Sequence, residues 1–444
     1  MKKNISFMVF LFFAIICVTE GFLHKEIDPL ITNCLQHTTL SKVLSYYPHG
    51  YCYDNDIDNE MMHPEGYGLM CNAYFLGGIF PGKSPAIYCD YPPDKYRILI
   101  PFLSSFFLFF TTLKNSYLII NIILWAVVSY AMWWLGCYIF NLKKIGLLAG
   151  FLCATSYAVI ALIAGGKAEI FQLASYVLLI ALSLRLNHFA NNDSFYALRD
   201  SFILGLFSGI LLFASFSSIY FLPFLFFYGI ATSRFEIFIK RNAVLLLGLI
   251  AVYSLVTPFI KQPLTHTMFR WVTSQHFDLI KWWISFKLRI ANHFILIVPY
   301  YLWIGAVGGL FLLNKRELKL ILCILTVFFA SEFIMVGANP YQSYTPAHYY
   351  LQILFPLYLL NAKFLYFLIF DIRNNNRFLL IFKRFIASVF IIVTLIVANL
   401  ALIGNKYYSF VMMAPTPIEL LYRSYFTFNN LYIYEDMYKK EYRK

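Results

Sequence analysis

The chain is 444 residues long, 60% apolar and 20% aromatic, with only 13% charged residues and a formal net charge of +13. About a quarter of a soluble domain is charged, so water is not the main solvent of this chain. Its basic residues are scattered as short loop clusters and form no single stripe, which excludes a nucleic-acid partner.

Lys2-Lys3 are followed by the apolar run Ile5 to Val18. The run fits a signal peptide, with Thr19 and Gly21 as small residues near a cleavage point, or a first membrane helix. Ile5 to Leu23 is long for a signal core and lacks an A-x-A site, which favours an uncleaved signal-anchor helix over residues 1–22. On either reading, the segment after it is exported.

Residues 23–96 contain no membrane-length apolar run and carry nine acidic residues against Lys25, Lys42, Lys83 and Lys95. They predict an extracytoplasmic loop. Cys34, Cys52, Cys71 and Cys89 fall here at nearly even steps, whereas Cys17, Cys137, Cys153 and Cys323 sit inside apolar runs. An even set of cysteines in an exported segment reads as two disulfides, with the connectivity open. Zinc is the weaker alternative, because no C-x-x-C pair is present.

Residues 97–403 predict a multi-span membrane domain. Ile98 to Thr112, Ser116 to Phe140, Ala243 to Ile260 and Phe385 to Ile403 are apolar runs near the length that crosses a bilayer as helix. Between the runs, Lys143-Lys144, Arg234 to Arg241, Asn314 to Lys319 and Asp371 to Arg384 mark cytoplasmic loops. The expected fold class is all-α, a polytopic transmembrane helical bundle with a disulfide-containing first extracytoplasmic loop.

Counting every apolar run as a crossing would place Asn314 to Lys319 outside, so one run must fail to cross, leaving about 10–11 spans. Ile98 to Thr112 is a candidate for a re-entrant segment. Ser201 to Ala231, at 31 residues, is too long for one upright span and too short for two. The favoured arrangement makes Ile98 to Thr112 re-entrant and Ser201 to Ala231 a shallow hairpin tipped at Ser215 to Ser218. Lys143-Lys144, Arg185 and Arg199 then stay cytoplasmic. The outside face carries residues 23–96, 165–169, 261–292 and 337–347, and the tail 404–444.

Asp90-Tyr-Pro-Pro-Asp94-Lys95-Tyr96-Arg97 runs directly into Ile98-Leu-Ile-Pro101-Phe-Leu103. An arginine at a helix entrance is costly without a partner, and an interfacial anchor is the plainer reading of Tyr96 and Arg97 alone. A first helix, a large acidic outside loop and this Y-R-x-L-x-P-x-L entry together resemble the GT-C superfamily of polytopic glycosyltransferases. Tyr96, Arg97, Leu99, Pro101 and Leu103 carry that likeness. Glu169-Ile-Phe-Gln172, followed by Gly205-Leu-Phe-Ser-Gly209 and the run to Pro223, is similar to a second pattern of the superfamily. The serine cluster Ser215 to Ser218 departs from it, where many members have Lys or Arg. G-x-x-x-G is also a common packing motif of membrane helices.

The resemblance implies transfer of a sugar from a polyprenyl-phosphate carrier to an acceptor on the outer face. It implies a bacterial inner membrane or an endoplasmic reticulum. The partners are then a lipid-linked sugar donor, membrane lipids, and an acceptor that is a glycan, a lipid or a protein.

The acceptor hydroxyl needs a carboxylate base, and an aspartate of ordinary pKa, about 3.9, is already ionised at neutral pH. Family catalytic acids lie in the first outside loop. Asp28, close behind the first helix, is favoured, with Asp54 second, among Glu26, Asp56, Asp58, Glu60 and Glu65. A turn residue before Pro29 is the plain alternative for Asp28.

The departing lipid phosphate calls for fixed cations, and Lys95, Arg97, Lys167 and Arg270 are available. The planar guanidinium fork ranks Arg97 and Arg270 first. Glu169 adjoins Lys167 as a further substrate-binding candidate. Trp271, Trp282 and Trp283 surround Arg270 with aromatic faces, although Phe269 to Arg289 also reads as an amphipathic helix resting in the interface. His348, before the next span, is the polar residue expected to enter the active cavity.

No metal-ligand spacing accompanies these residues, and neither metal nor cofactor is expected. A transporter or flippase would need ionisable groups deep in the spans, where Lys167, Glu169 and Glu332 are the few candidates. A non-catalytic assembly factor would keep the fold without the chemistry.

Overall fold

A computed structural model of the chain describes residues 2–24, 99–107, 110–111, 113–156, 159–160, 170–186, 188–189, 194–213, 221–259, 300–338, 353–371 and 377–403. Among them, every regular element is a helix. In chain order these are α1 (Lys2–His24), α2 (Leu99–Phe107), α3 (Leu113–Phe140), α4 (Lys143–Ala154), α5 (Ile170–Arg185) and α6 (Phe195–Leu212). They continue with α7 (Leu222–Thr232), α8 (Phe235–Val256, closed by a 3-10 turn Thr257–Phe259), α9 (Tyr300–Phe311), α10 (Lys315–Ala338), α11 (Leu354–Phe370) and α12 (Arg377–Ile403).

Ile5–Leu23, Leu118–Phe140, Phe195–Leu212 and Arg377–Asn399 are long and apolar enough to cross a membrane by length and composition. Shorter apolar helices stand beside them at Leu173–Arg185, Leu222–Thr232, Tyr301–Phe311 and Leu354–Phe370. The outer faces of α1 and α12 leave Phe7, Phe12, Ile15, Phe378, Ile381 and Phe385 exposed. An apolar surface of that extent belongs in lipid, and the chain is an integral membrane protein.

Local chemistry explains where the helices start and stop. Asn141 takes a left-handed φ of 54°, a conformation asparagine tolerates at a helix end. It turns α3 back into α4 within two residues. Ser194 caps α6, its hydroxyl accepting from the Ala197 amide at 3.3 Å, and Pro223 opens α7 where its missing N–H costs nothing. At α10, Asn314 and Glu317 satisfy each other's amides: the Asn314 N–H donates to Glu317 at 3.0 Å and the Glu317 N–H to Asn314 at 2.9 Å. That is a reciprocal capping box.

One sequence boundary moves here. Helix begins six residues before Ser201, at Phe195, and α6 is 18 residues long; Ser215 to Ser218, the expected hairpin tip, lie outside the described residues. The capped first turn at Ser194 extends the helix past Arg199 and Asp200, where the apolar run stops. In contrast, α2 has nine helical residues, about 14 Å of rise, well short of the roughly 30 Å hydrocarbon core.

Contacts fix the directions. Cys17 of α1 meets Ser129 of α3 at 4.0 Å and Phe10 meets Tyr130 at 5.9 Å, while Gly21 lies against Ile122; α1 and α3 are antiparallel. Trp125 Nε1 donates to the Cys153 carbonyl at 3.0 Å, and Gly136 lies against Gly146, so α4 is antiparallel to α3. Ser156 bonds Tyr358, and Lys144 sits 4.1 Å from the Phe370 ring, which makes α11 antiparallel to α4. Gly305 faces Asn361 and Gly308 faces Phe364, so α9 runs parallel to α11. Gly205 faces Leu245 and Gly209 faces Val252, so α6 runs parallel to α8.

Glycine makes these approaches possible. A Cβ on Gly205 would lie 2.0 Å from the Leu245 carbonyl oxygen, whereas a Cβ on Gly21 would meet the tip of the Ile122 side chain at 2.5 Å. A side-chain tip can turn away; a backbone carbonyl moves only with its helix. Gly205→Ala is therefore expected to destabilise by about 1–3 kcal/mol and Gly21→Ala to stay near neutral. The helix-propensity gain of about 1 kcal/mol is common to both sites. Thermal unfolding in detergent checks this, and equal midpoints for the two variants would refute the packing account.

Candidate functional site

The helix directions gather charge at one end of the bundle. Lys143 and Lys144 start α4, Arg185 ends α5, Arg234 to Arg241 start α8, Lys315 to Lys319 start α10, and Arg377 to Arg384 start α12. Contacts confirm that these ends meet. Lys383 lies 3.9 Å from the Phe367 ring, Lys319 donates to the Ala231 carbonyl, and Arg241 donates to the His188 carbonyl. The four basic clusters expected to share a side therefore share an end.

His188, in the turn after α5, is 2% exposed and bonds Ser201 at 3.0 Å. Burial first, and then the Arg241 guanidinium beside it, push its pKa down to about 4. It is neutral at pH 7 and adds nothing to the positive field of this end.

Among the described residues, the opposite end carries few charges. α1 and α8 finish there; α2, α5, α9 and α11 begin there. Leu99, the first residue of α2, donates its N–H to the Phe213 carbonyl at the end of α6, at 3.2 Å. Below that rim lies a buried polar layer in which Ser156 bonds Tyr358, with Tyr176 packed 6.1 Å from Phe355.

Asp28, Asp54, Lys95, Arg97, Lys167, Glu169, Arg270 and His348 lie outside the described residues, as do Cys34, Cys52, Cys71, Cys89 and Ser215 to Ser218. The described helix ends that adjoin them in sequence are His24, Leu99, Ile170, Phe259, Tyr300 and Ile353, all at the end opposite the basic clusters. Cys17, Cys137, Cys153 and Cys323 are free thiols. The glycines of the second resemblance have a structural explanation: Gly205 and Gly209 bring α6 against α8.

Two polar residues missed by the sequence reading lie near that rim. Glu20 sits in the last turns of α1, and Asn121 is 1% exposed in the first third of α3. The available signal was a carboxylate and an amide inside apolar runs, where polar groups are costly. A groove of about 290 Å³ along α1, lined by Ile5, Met8, Val9, Phe12 and Leu147, is wholly apolar and lies toward the basic end, away from these groups.

No protein-family model and no curated protein matches the sequence. The fold does match solved structures. The archaeal oligosaccharyltransferase AglB from Archaeoglobus fulgidus, solved in complex with an inhibitory peptide and a dolichol-phosphate, superposes with a TM-score of 0.55 at 13% identity. The match covers 94% of this chain and 57% of that one, so the chain spans a little over half the length of the neighbour. An Archaeoglobus fulgidus oligosaccharyltransferase tethered to an acceptor peptide with the NVT sequon matches at 12% identity, over 88% of this chain and 55% of that one. Its TM-score of 0.44 is too low to carry an argument. What this chain shares with the AglB structure is its fold.

At the basic end, Lys363 Nζ holds both Glu317 oxygens, at 2.9 and 3.0 Å, with the two side chains 16% and 5% exposed. Removing one member leaves a buried charge alone, a loss of about 3–5 kcal/mol. Lys363→Met is expected to lower the unfolding midpoint strongly, and adding Glu317→Gln to restore most of it. A double variant no better than the single one would show that the pair is not coupled.

Proposed function

We propose that the chain is a membrane glycosyltransferase that moves a sugar from a polyprenyl-phosphate carrier to an acceptor at the extracytoplasmic face. The observation that carries this reading is the conjunction of a fold shared with an oligosaccharyltransferase with the gathering, at the end opposite the basic clusters, of the helix ends that adjoin the motif-bearing segments. Basic residues are retained on the cytoplasmic side, which supports reading the opposite end as extracytoplasmic. The solved neighbour was captured with a dolichol-phosphate and a peptide, ligands of the two classes the reaction requires. On this reading the chain makes about 10–11 crossings.

The chemistry assigns roles. Asp28, or failing it Asp54, takes the proton of the acceptor hydroxyl as that oxygen attacks the anomeric carbon. The bond from that carbon to the phosphate oxygen breaks, and the carrier leaves as polyprenyl phosphate. Arg97, with Lys95, Lys167 and Arg270, stabilises the phosphate in the ground state and as it departs. Glu169 and His348 contact the polar parts of the substrates.

Purified protein offered a panel of polyprenyl-phosphate sugars tests the reading. Turnover with one of them is expected. Asp28→Asn keeps size but removes the base, so the rate is expected to fall on the order of 10²–10⁴-fold with donor affinity almost unchanged. Arg97→Ala is expected to weaken both. An active Asp28→Asn beside a dead Asp54→Asn would move the base to Asp54. Silence of every acidic substitution in the loop would end the transferase reading.

The loop 23–96 is proposed to carry two disulfides among Cys34, Cys52, Cys71 and Cys89, which would stabilise it by about 2–4 kcal/mol each. Thiol reagents added from outside are expected to label Cys34 and Cys89 only after reduction. Ready labelling of the untreated protein would exclude the bridges.

A further inference from the structure

Three asparagines in the described helices bond the carbonyl one turn back. Asn242 donates to Phe238 at 2.8 Å, Asn361 to Leu357 at 2.8 Å, and Asn399 to Leu395 at 3.0 Å. Asn361 also donates to Leu302 at 2.8 Å, tying α11 to α9. Asn121 does none of this. It is 1% exposed, and neither its Nδ2 nor its Oδ1 has a hydrogen-bond partner. A buried amide with both halves unsatisfied is costly and calls for an explanation beyond packing.

Its position supplies one. Trp125, one turn further along α3, donates to the last turn of α4, and Ile122, the next residue, lies against Gly21 three residues before the end of α1. Asn121 therefore stands level with the end of α1, from which the acidic loop departs, about 6 Å closer to that rim than Trp125.

We infer that the Asn121 carboxamide is a binding group for the sugar of the lipid-linked donor. This rests on the transferase reading and extends it to substrate recognition within the bundle. The amide presents a donor and an acceptor side by side. A sugar hydroxyl or acetamido group, itself both donor and acceptor, satisfies the two together, whereas an ionised phosphate offers only acceptors and leaves the carbonyl unpaired. The amide reads the sugar and leaves the phosphate to the cations. Because it is closed to solvent, the sugar reaches it only as the adjoining helix ends part, after the lipid has been captured.

Asn121→Leu tests this, being close in size and without polar atoms, with Asn121→Ala as a second variant should leucine misfold. Two quantities are measured: the unfolding midpoint without ligand, and binding of the donor picked out by the sugar panel against bare polyprenyl phosphate. The wild type is expected to prefer the sugar-bearing lipid on the order of tenfold or more. Asn121→Leu is expected to lose that preference, to bind bare polyprenyl phosphate as before, and to unfold at a higher temperature, since an unsatisfied amide has been removed.

A variant that keeps the preference overturns the inference, and so does a lower midpoint for Asn121→Leu, which marks a structural role. Equal wild-type binding of both lipids overturns it while leaving the carrier reading standing. Binding of neither lipid removes the transferase reading itself, and this inference with it.

Discussion

Inside a bilayer, apolar side chains gain little by leaving lipid for protein, so helices associate through close contact and interhelical polar bonds. This chain uses both. Glycines allow backbones to approach where Gly205 meets Leu245, Gly309 meets Leu360, and Gly136 meets Gly146. Where the backbones are that near, a few polar bonds hold the register: Trp125 to Cys153, Ser156 to Tyr358, Asn361 to Leu302. The order of the bundle depends on which helices carry glycine on facing sides. α6 lies on α8, with α7 between them in the chain, because Gly205 and Gly248 stand at the same level.

Charge is the second constraint, and it acts on the ends. Lysines and arginines are expensive in hydrocarbon but inexpensive at the headgroups, so the turns of one end collect them. Several are held by aromatic rings of α11, as Lys144 is by Phe370 and Lys383 by Phe367. Among the described residues, Lys363 enters the protein, and it is tolerated because Glu317 is fixed in place by the α10 capping box.

Much of the fold was legible in the sequence. Apolar length and basic punctuation suffice for an all-helical membrane protein and for the grouping of Lys143-Lys144, Arg234 to Arg241, Asn314 to Lys319 and Asp371 to Arg384, because both depend on composition over many residues. Boundaries were less legible. Ser194 to Asp200 looks like loop by composition, yet a serine cap and a first turn suffice to make it helix. Partner choice was not legible: G-x-x-x-G announces a close approach without saying to what, and Gly205 finds its partner in Leu245, two helices on. The candidate acids and cations were visible as residue types in segments expected to be exported, which lie outside the described residues. Asn121 was not, since a lone amide in an apolar run matters only once the bonds of its neighbours are known.

The same bond pattern bears on transport as a competing function. A transporter needs polar groups in mid-membrane that a cargo can engage. The buried hydroxyls of the described spans are mostly committed to their own helices: Ser183 to Ile180, Ser208 to Leu204, Ser331 to Phe328, and Thr394 to Phe390, at 2.7 to 2.9 Å. Such bonds leave the donor spent and the hydroxyl turned back against the backbone. Asn121, whose amide has no partner, stands toward one end of α3. A polar group at a rim can receive a headgroup whose lipid tail stays in the membrane; it cannot pass a cargo across. Among the described residues, the committed hydroxyls and the lone Asn121 amide therefore suit the proposed chemistry at a face better than movement through the core.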